Sequence, residues 1–390
     1  MKKYCNLAFV LIVVGFLAAG MIRTFVFPKE INTLENRYAY QVGQLSAESF
    51  VNGTYQQQMA DALNDQVPGS SLMKQLYNWI MAFYEDRALS LVMGQAPMQY
   101  VSYRGGWRYG EHLINRPFDL ANQVEGFNAR MENIAAQIQA HPDVEFYAYL
   151  IERDTEFDFE TGIDNGCYEY LRQAFSKLEV PYAAFRTQSY EDYHRYYYMT
   201  DHHWNCHGSY AAYPQVLDLL GVEEDPLPVE REWLLDYQYY GSKTIARGAN
   251  KLLTEPFPAY EFDYPEMEIT INGQPAADYG NQSLYLRESG RPSFISYGDF
   301  YGSDNGETIL DTHRQDRPNI LIVGESYDNA LLKLLASHYG KTCSIDLRNY
   351  LATMGQEFAF SDYLEEHEIT QVLLIGSSSF FSMEEFMLED

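Results

Sequence analysis

The sequence is short of positive charge: 27 Lys and Arg stand against 55 Asp and Glu, a formal charge of −28. Nucleic-acid affinity rests on neutralising phosphates, and no basic stripe longer than two residues occurs, so a nucleic-acid partner is excluded. Cysteine is equally scarce, at four in 390 residues. Cys5 falls in the amino-terminal apolar segment, and the remaining Cys167, Cys206 and Cys343 cannot all pair, so no disulfide framework is to be read. Internal repeats and low-complexity tracts are lacking too, which excludes repeat architectures.

Long apolar runs are limited to one, from Leu7 to Ile22, preceded by Lys2 and Lys3. Positive residues ahead of such a run keep the amino terminus in the cytoplasm and send the rest outward. The run is shorter than the roughly 20 residues that span a bilayer. Two readings stay open for residues 1–27: a signal peptide cleaved after Gly20, with Ala18 and Gly20 as its −3 and −1 residues, or an uncleaved signal anchor lengthened by residues 22–27. The absence of cysteine at Met21 excludes a lipoprotein. An extracytoplasmic body is expected, membrane-tethered by a single pass or secreted.

Tyrosine is abundant, at 34 residues. Its ring and hydroxyl suit sugar recognition, although runs such as Tyr196-Tyr197-Tyr198 also serve as half-buried strand filling. Residues 28–89 read as a stalk with amino-terminal helices, including one after Ser70 whose Leu72, Leu76, Trp79, Ile80 and Phe83 form a core stripe. From about residue 90 strands and helices alternate: strand 99–103, helix 124–140, strand 144–151, helix 166–178, strand 182–185 and a short strand at 196–199. That grammar predicts helices on a mostly parallel sheet. Residues 222–315 break it with prolines, glycines and the hairpin signal Asn272-Gly273, and read as a β-rich insertion beside the sheet. The grammar resumes at the apolar run 319–323, followed by helix 330–338, strand 343–347, helix 354–366 and strand 371–375, which closes the sheet.

Ser326, in Gly324-Glu325-Ser326-Tyr327, lies between a buried strand and a helix. There a sharp turn presents a hydroxyl above the carboxyl end of the sheet, with helix-start N–H groups facing developing negative charge. A serine needs a base, and the base an orienting carboxylate; Asp201-His202-His203-Trp204 supplies both. His203 suits the base, because Asp201 two residues earlier can reach its Nδ1, and His202 is the adjacent alternative. A metal reading stands beside this one, since His203, Cys206 and His207 have helical ligand spacing, but no second ligand pair completes a site and none is expected. Gly302 or Asn305 is a candidate second oxyanion donor besides the Ser326 N–H. Arg348 either steers a substrate carboxylate or pairs with a neighbouring acid.

Asp201-His202-His203-Trp204 resembles the signature of the DHHW family, and residues 208–213 resemble the small-plus-aromatic helix that follows it there. Leu34-Glu35-Asn36-Arg37, Asp65-Gln66-Val67-Pro68-Gly69, Gly324-Glu325-Ser326-Tyr327 and Asp346-Leu347-Arg348-Asn349-Tyr350 match as well. That family is similar to the SGNH-hydrolase-like domains of periplasmic alginate O-acetyltransferases. The resemblance implies Ser326 as nucleophile, His203 as base and Asp201 as its partner, in a permuted order with the serine last. Glu325 departs from the pattern, since the relatives carry Asp there, and so does Asn349, where they tend to carry an aromatic residue.

The expected fold is therefore α/β, an SGNH-hydrolase-like, flavodoxin-like three-layer domain over residues 90–390. The expected activity is an extracytoplasmic O-acetyltransferase or acetylesterase acting on a cell-surface polysaccharide through an acetyl-serine. No acetyl-CoA site is identified and no cofactor is expected; a transferase outside the cell would draw acetyl groups from a membrane-bound O-acyltransferase. The alternative is a non-catalytic envelope protein that binds glycan or an assembly partner with a relict triad.

Overall fold

The computed structural model describes residues 2–29, 31–32, 37–42, 45–66, 72–74, 76–77, 80–81, 98–248 and 253–389. It divides into two compact units, residues 1–95 with 244–254, and residues 96–243 with 255–390. In the first, helices cover Lys2–Phe25 and Thr54–Gln66. Among the described residues no helix is long and apolar enough to cross a membrane. At 1.5 Å per residue the apolar stretch from Leu7 to Ile22 reaches only about 24 Å, against a hydrocarbon core of about 30 Å, and Arg23 interrupts it. The expected spanning anchor is thus not supported. The stripe expected to be core after Ser70 is not buried either, since Leu72, Leu76 and Ile80 are exposed. Trp79 and Phe83 lie outside the described residues, as do Leu34, Glu35, Asn36, Val67, Pro68 and Gly69.

The second unit is built on an eight-stranded sheet. Its strands are β1 (Glu145–Ile151), β2 (Tyr182–Phe185), β5 (Glu268–Ile271), β6 (Gln274–Ala276), β7 (Glu307–Asp311), β8 (Ile320–Gly324), β9 (Lys341–Ile345) and β10 (Gln371–Gly376); β3 (Arg231–Tyr239) and β4 (Glu255–Glu261) form a separate antiparallel ribbon. The order across the sheet is β6-β5-β7-β9-β8-β10-β1-β2. Pairs β9-β8, β8-β10, β10-β1 and β1-β2 are parallel. Counted from β8, the parallel strands run 2-1-3-4-5, the doubly wound order of flavodoxin-like sheets, with the first three strands coming last in the chain. β10 does not close the sheet but lies in its middle, between β8 and β1.

Alternation along the buried strands separates two cores. Ile320, Ile322, Leu373 and Ile375 face one side with Ala212, Tyr213, Val216 and Leu217 of helix Cys206–Leu219. Leu321, Val323, Val372 and Leu374 face the other, with Phe127, Met131 and Ile134 of helix Val124–Ala140 and Leu171 and Phe175 of helix Cys167–Lys177. Helices thus cover both faces, which explains why these strands read as unbroken apolar runs. Some local expectations change. Residues Tyr190–Tyr196 form a helix, because Ser189 accepts the Asp192 N–H as a cap and Tyr193 packs inward; only Tyr197 bridges, to Trp204. The helix expected over 354–366 is two helices, Leu347–Met354 and Phe360–Glu366, parted at Gly355, whose φ of 72° ends the first. Residues 222–315 add the ribbon β3-β4 and the antiparallel strands β5, β6 and β7 at one sheet edge. The Asn272-Gly273 turn joins β5 to β6 with φ of 48° and 71°, both left-handed as a tight hairpin requires.

Candidate active site

All five residues of β8 are buried, and the chain turns at Glu325-Ser326-Tyr327 before the short helix Leu332–Ala336. Gly324 is required there: an added Cβ would lie 2.3 Å from Asp328 Oδ2 and 3.0 Å from the Ile375 carbonyl oxygen. Ser326 is half-buried at the carboxyl end of β8. The segment 197–207, which follows β2 in the chain, arrives at the same carboxyl end of the sheet and is stitched to the serine turn. Tyr327 Oη donates to the His202 carbonyl at 2.6 Å, and Trp204 Nε1 donates to the Tyr327 carbonyl at 3.1 Å.

These contacts bring Asp201, His203 and Ser326 into one line. His203 Nε2 lies 2.7 Å from Ser326 Oγ, and His203 Nδ1 lies 2.8 Å from Asp201 Oδ1. With Asp201 ionised, Nδ1 carries the proton, so Nε2 accepts from the serine hydroxyl. Asp201 Oδ1 also accepts the His203 backbone N–H at 3.2 Å and the Ser242 hydroxyl at 3.2 Å, while Oδ2 accepts Tyr239 Oη at 2.6 Å and the Ser242 N–H at 3.0 Å. Burial would raise the Asp201 carboxyl, but the attraction of His203 and hydrogen bonds from both histidines hold it well below the usual carboxylate range.

The His203 ring is stacked on Tyr297, centroids 3.8 Å apart and planes 2° apart, and the His202 ring centroid is also 3.8 Å away. Burial first, then His202, lower the His203 pKa to about 4, against an upward pull from Asp201. Its resting form at neutral pH is therefore the neutral imidazole, which can take a proton. His202 Nδ1 meets Ser242 Oγ at 2.5 Å and Asp201 Oδ1 at 3.2 Å, and it is His203 whose Nε2 stands at the serine.

The other candidate residues separate. Cys206 is buried, which pushes its thiol pKa up, and His207 Nδ1 meets Tyr260 Oη at 2.7 Å. Among the described residues the group able to share a metal ion is Asp201, His202 and His203, the same atoms that link His203 to Asp201. Gly302 is not a free oxyanion donor, because its N–H donates to the Gly298 carbonyl at the end of helix Tyr297–Tyr301. The Asn305 N–H donates to the Ser303 carbonyl and its side-chain amide to Thr308 Oγ1. Arg348 takes the ion-pair fate, with Asp346 at 2.5 Å and Asp304 at 3.1 Å. Glu325 accepts the Ser377 N–H at 2.6 Å. A cavity of about 560 Å³, lined by Asp311, Arg314, Arg317 and Lys341, lies at the opposite, amino ends of β8 and β9.

Tyr239, Ser242 and Tyr297 escaped sequence reasoning. They lie 38, 41 and 94 residues from the partners they touch, and no local spacing marks them.

No family model and no curated protein matches the chain. Solved structures do. Bacillus cereus PatB1 carrying a sulfonyl adduct superposes with a TM-score of 0.54 at 19% identity, over 72% of this chain and 96% of that one. A DHHW family protein from Eubacterium siraeum superposes with a TM-score of 0.50 at 18% identity, over 74% and 95%. The fold is shared with both. The O-acetyltransferase domain of Pseudomonas putida AlgJ overlaps loosely, with a TM-score of 0.38 at 12% identity over 70% and 88%, a level that adds nothing to the fold assignment.

Proposed function

We propose that this chain is an extracytoplasmic SGNH-like enzyme that moves acetyl groups on or off a cell-surface polysaccharide through an acetyl-Ser326 intermediate. The observation that carries the reading is the continuous line Ser326 Oγ, His203 Nε2, His203 Nδ1, Asp201 Oδ1, with contacts of 2.7 and 2.8 Å. Lys2 and Lys3 ahead of an apolar run support export.

In the first half-reaction His203 Nε2 takes the Ser326 proton as Oγ attacks the acyl carbonyl. Negative charge gathers on the carbonyl oxygen at the start of the turn after β8, and Asp201 stabilises the imidazolium. Collapse breaks the acyl–oxygen bond, His203 returns the proton to the leaving alcohol, and the acetyl group stays on Ser326. In the second half a sugar hydroxyl or water gives its proton to His203 and attacks the acetyl-serine, releasing Ser326 with its proton restored. A sugar acceptor gives transfer and water gives hydrolysis. For transfer, a membrane-bound O-acyltransferase is the proposed donor.

A fluorophosphonate reagent tests the reading. Modification confined to Ser326, lost in Ser326→Ala, together with release or transfer of acetate from an acetylated wall polysaccharide, is the expected result. A folded protein that is not modified at Ser326 would return the chain to the binding-protein class.

A further inference from the structure

The triad line ends on a carboxylate that the insertion surrounds. Tyr239, the last residue of β3, donates its hydroxyl to Asp201 Oδ2 at 2.6 Å, and Ser242 adds its N–H and hydroxyl. Between them Gly241 passes so close that an added Cβ would stand 2.0 Å from Asp201 Oδ2. This segment does not depend on Asp201 for its place. The Tyr239 ring packs on Tyr198 and Phe257, with centroids 5.0 and 5.1 Å away. Glu255, which opens β4, accepts the Met199 N–H at 2.9 Å, the Thr200 N–H at 2.7 Å and the Thr200 hydroxyl at 2.6 Å. The ribbon therefore grips the backbone immediately before Asp201 as well as the carboxylate.

We propose that Tyr239 and Ser242 are positioning residues of the triad: they lock the Asp201 carboxylate so that Oδ1 alone faces His203, and they share its negative charge. The inference rests on reading Asp201, His203 and Ser326 as a triad. A carboxylate free to rotate holds neither the tautomer nor the orientation of the imidazole, so the donors that Tyr239 and Ser242 place on its two oxygens act on catalysis without touching substrate. Removing the Tyr239 hydroxyl leaves more charge on the carboxylate. That charge stabilises the imidazolium more strongly, so His203 binds its proton more tightly and the acid limb of activity moves to higher pH. The other titratable groups facing this pair are His202 on the same loop, Glu325 and Tyr327 on the serine turn, Glu255 on β4, and Tyr297. All of them are unchanged in Tyr239→Phe.

The test is the rate of fluorophosphonate labelling at Ser326 as a function of pH in the full chain, with cooperative melting as the check on folding. Tyr239→Phe is expected to label about tenfold more slowly at its plateau, the loss of one hydrogen bond to a charged group, with its acid limb shifted upward. Gly241→Ala pushes the same oxygen by steric contact and is expected to slow labelling at least as much. A wild-type rate and pH profile in Tyr239→Phe overturns the proposal, and so does a slower rate with an unmoved profile, which marks a purely structural tyrosine. Should Tyr239→Phe fail to fold, Ser242→Ala decides, because it removes one donor to Asp201 and keeps the backbone N–H: slower labelling with a shifted limb supports the proposal, and an unchanged rate and profile overturns it. Absence of labelling in the wild-type protein would instead sink the triad reading itself.

Discussion

Burial makes His203 a weak base, poised far below neutrality. Since the neutral ring is the form that accepts the Ser326 proton, hydrolysis of a small acetyl ester should rise with pH through an acid limb near the pKa of about 4, not near the roughly 6.5 of a free imidazole. A kcat/KM profile locates that limb; one centred at or above 6.5 would mean that water or substrate reaches the ring. Ser326→Ala and His203→Ala should each lower kcat on the order of a thousandfold or more, and the double variant no further, because both serve the same step. Asp201→Asn should be comparable or milder, and an additive double variant would separate the two residues mechanistically.

The strands of the insertion act as supports, and Glu255 on β4 shows what that costs. Its carboxyl is buried, and burial raises its pKa to about 7 although three donors from Met199 and Thr200 pull the other way. A carboxyl whose folded pKa lies above its unfolded value adds stability below the unfolded value, near pH 4.5, and loses it as pH rises to about 7. Glu255→Gln keeps an acceptor without a charge. Its melting temperature relative to wild type should therefore climb between pH 4.5 and 7 and level off above, which thermal melts across that range would register. A difference that does not change with pH would show that folding leaves the Glu255 pKa at its unfolded value.

Strand β8 and the Asp201-x-His203 unit were legible because each depends on neighbours in the chain: an unbroken apolar run buried on two faces, and a carboxylate two residues from the imidazole it holds. The Asn272-Gly273 hairpin was legible for the same reason. The supports of Asp201 were not, because Tyr239 and Ser242 reach it through a register between ribbon and loop that no periodicity encodes. Gly302 looked like a donor from its turn composition, yet the helix before it consumes its N–H. The central place of β10 was likewise hidden, since strand order is a property of pairing across the sheet.

For the molecule as a whole, the sheet predicts unequal tolerance to deletion. Removing 371–376 takes out the strand between β8 and β1 and should abolish cooperative unfolding. Replacing the edge hairpin 268–276 by a short linker exposes only β7 and should lower the melting temperature while a transition remains. Circular dichroism on both variants checks this, and equal collapse of both would mean that the antiparallel edge nucleates the sheet. That order also bears on timing. A polypeptide that emerges amino end first presents Asp201 and His203 long before Ser326, and the parallel part of the sheet stays in two halves until β10, made after the other seven strands of the sheet, pairs between β8 and β1. The line from Ser326 through His203 to Asp201 can therefore form only once the last strand of the sheet has been made and has found its place between β8 and β1.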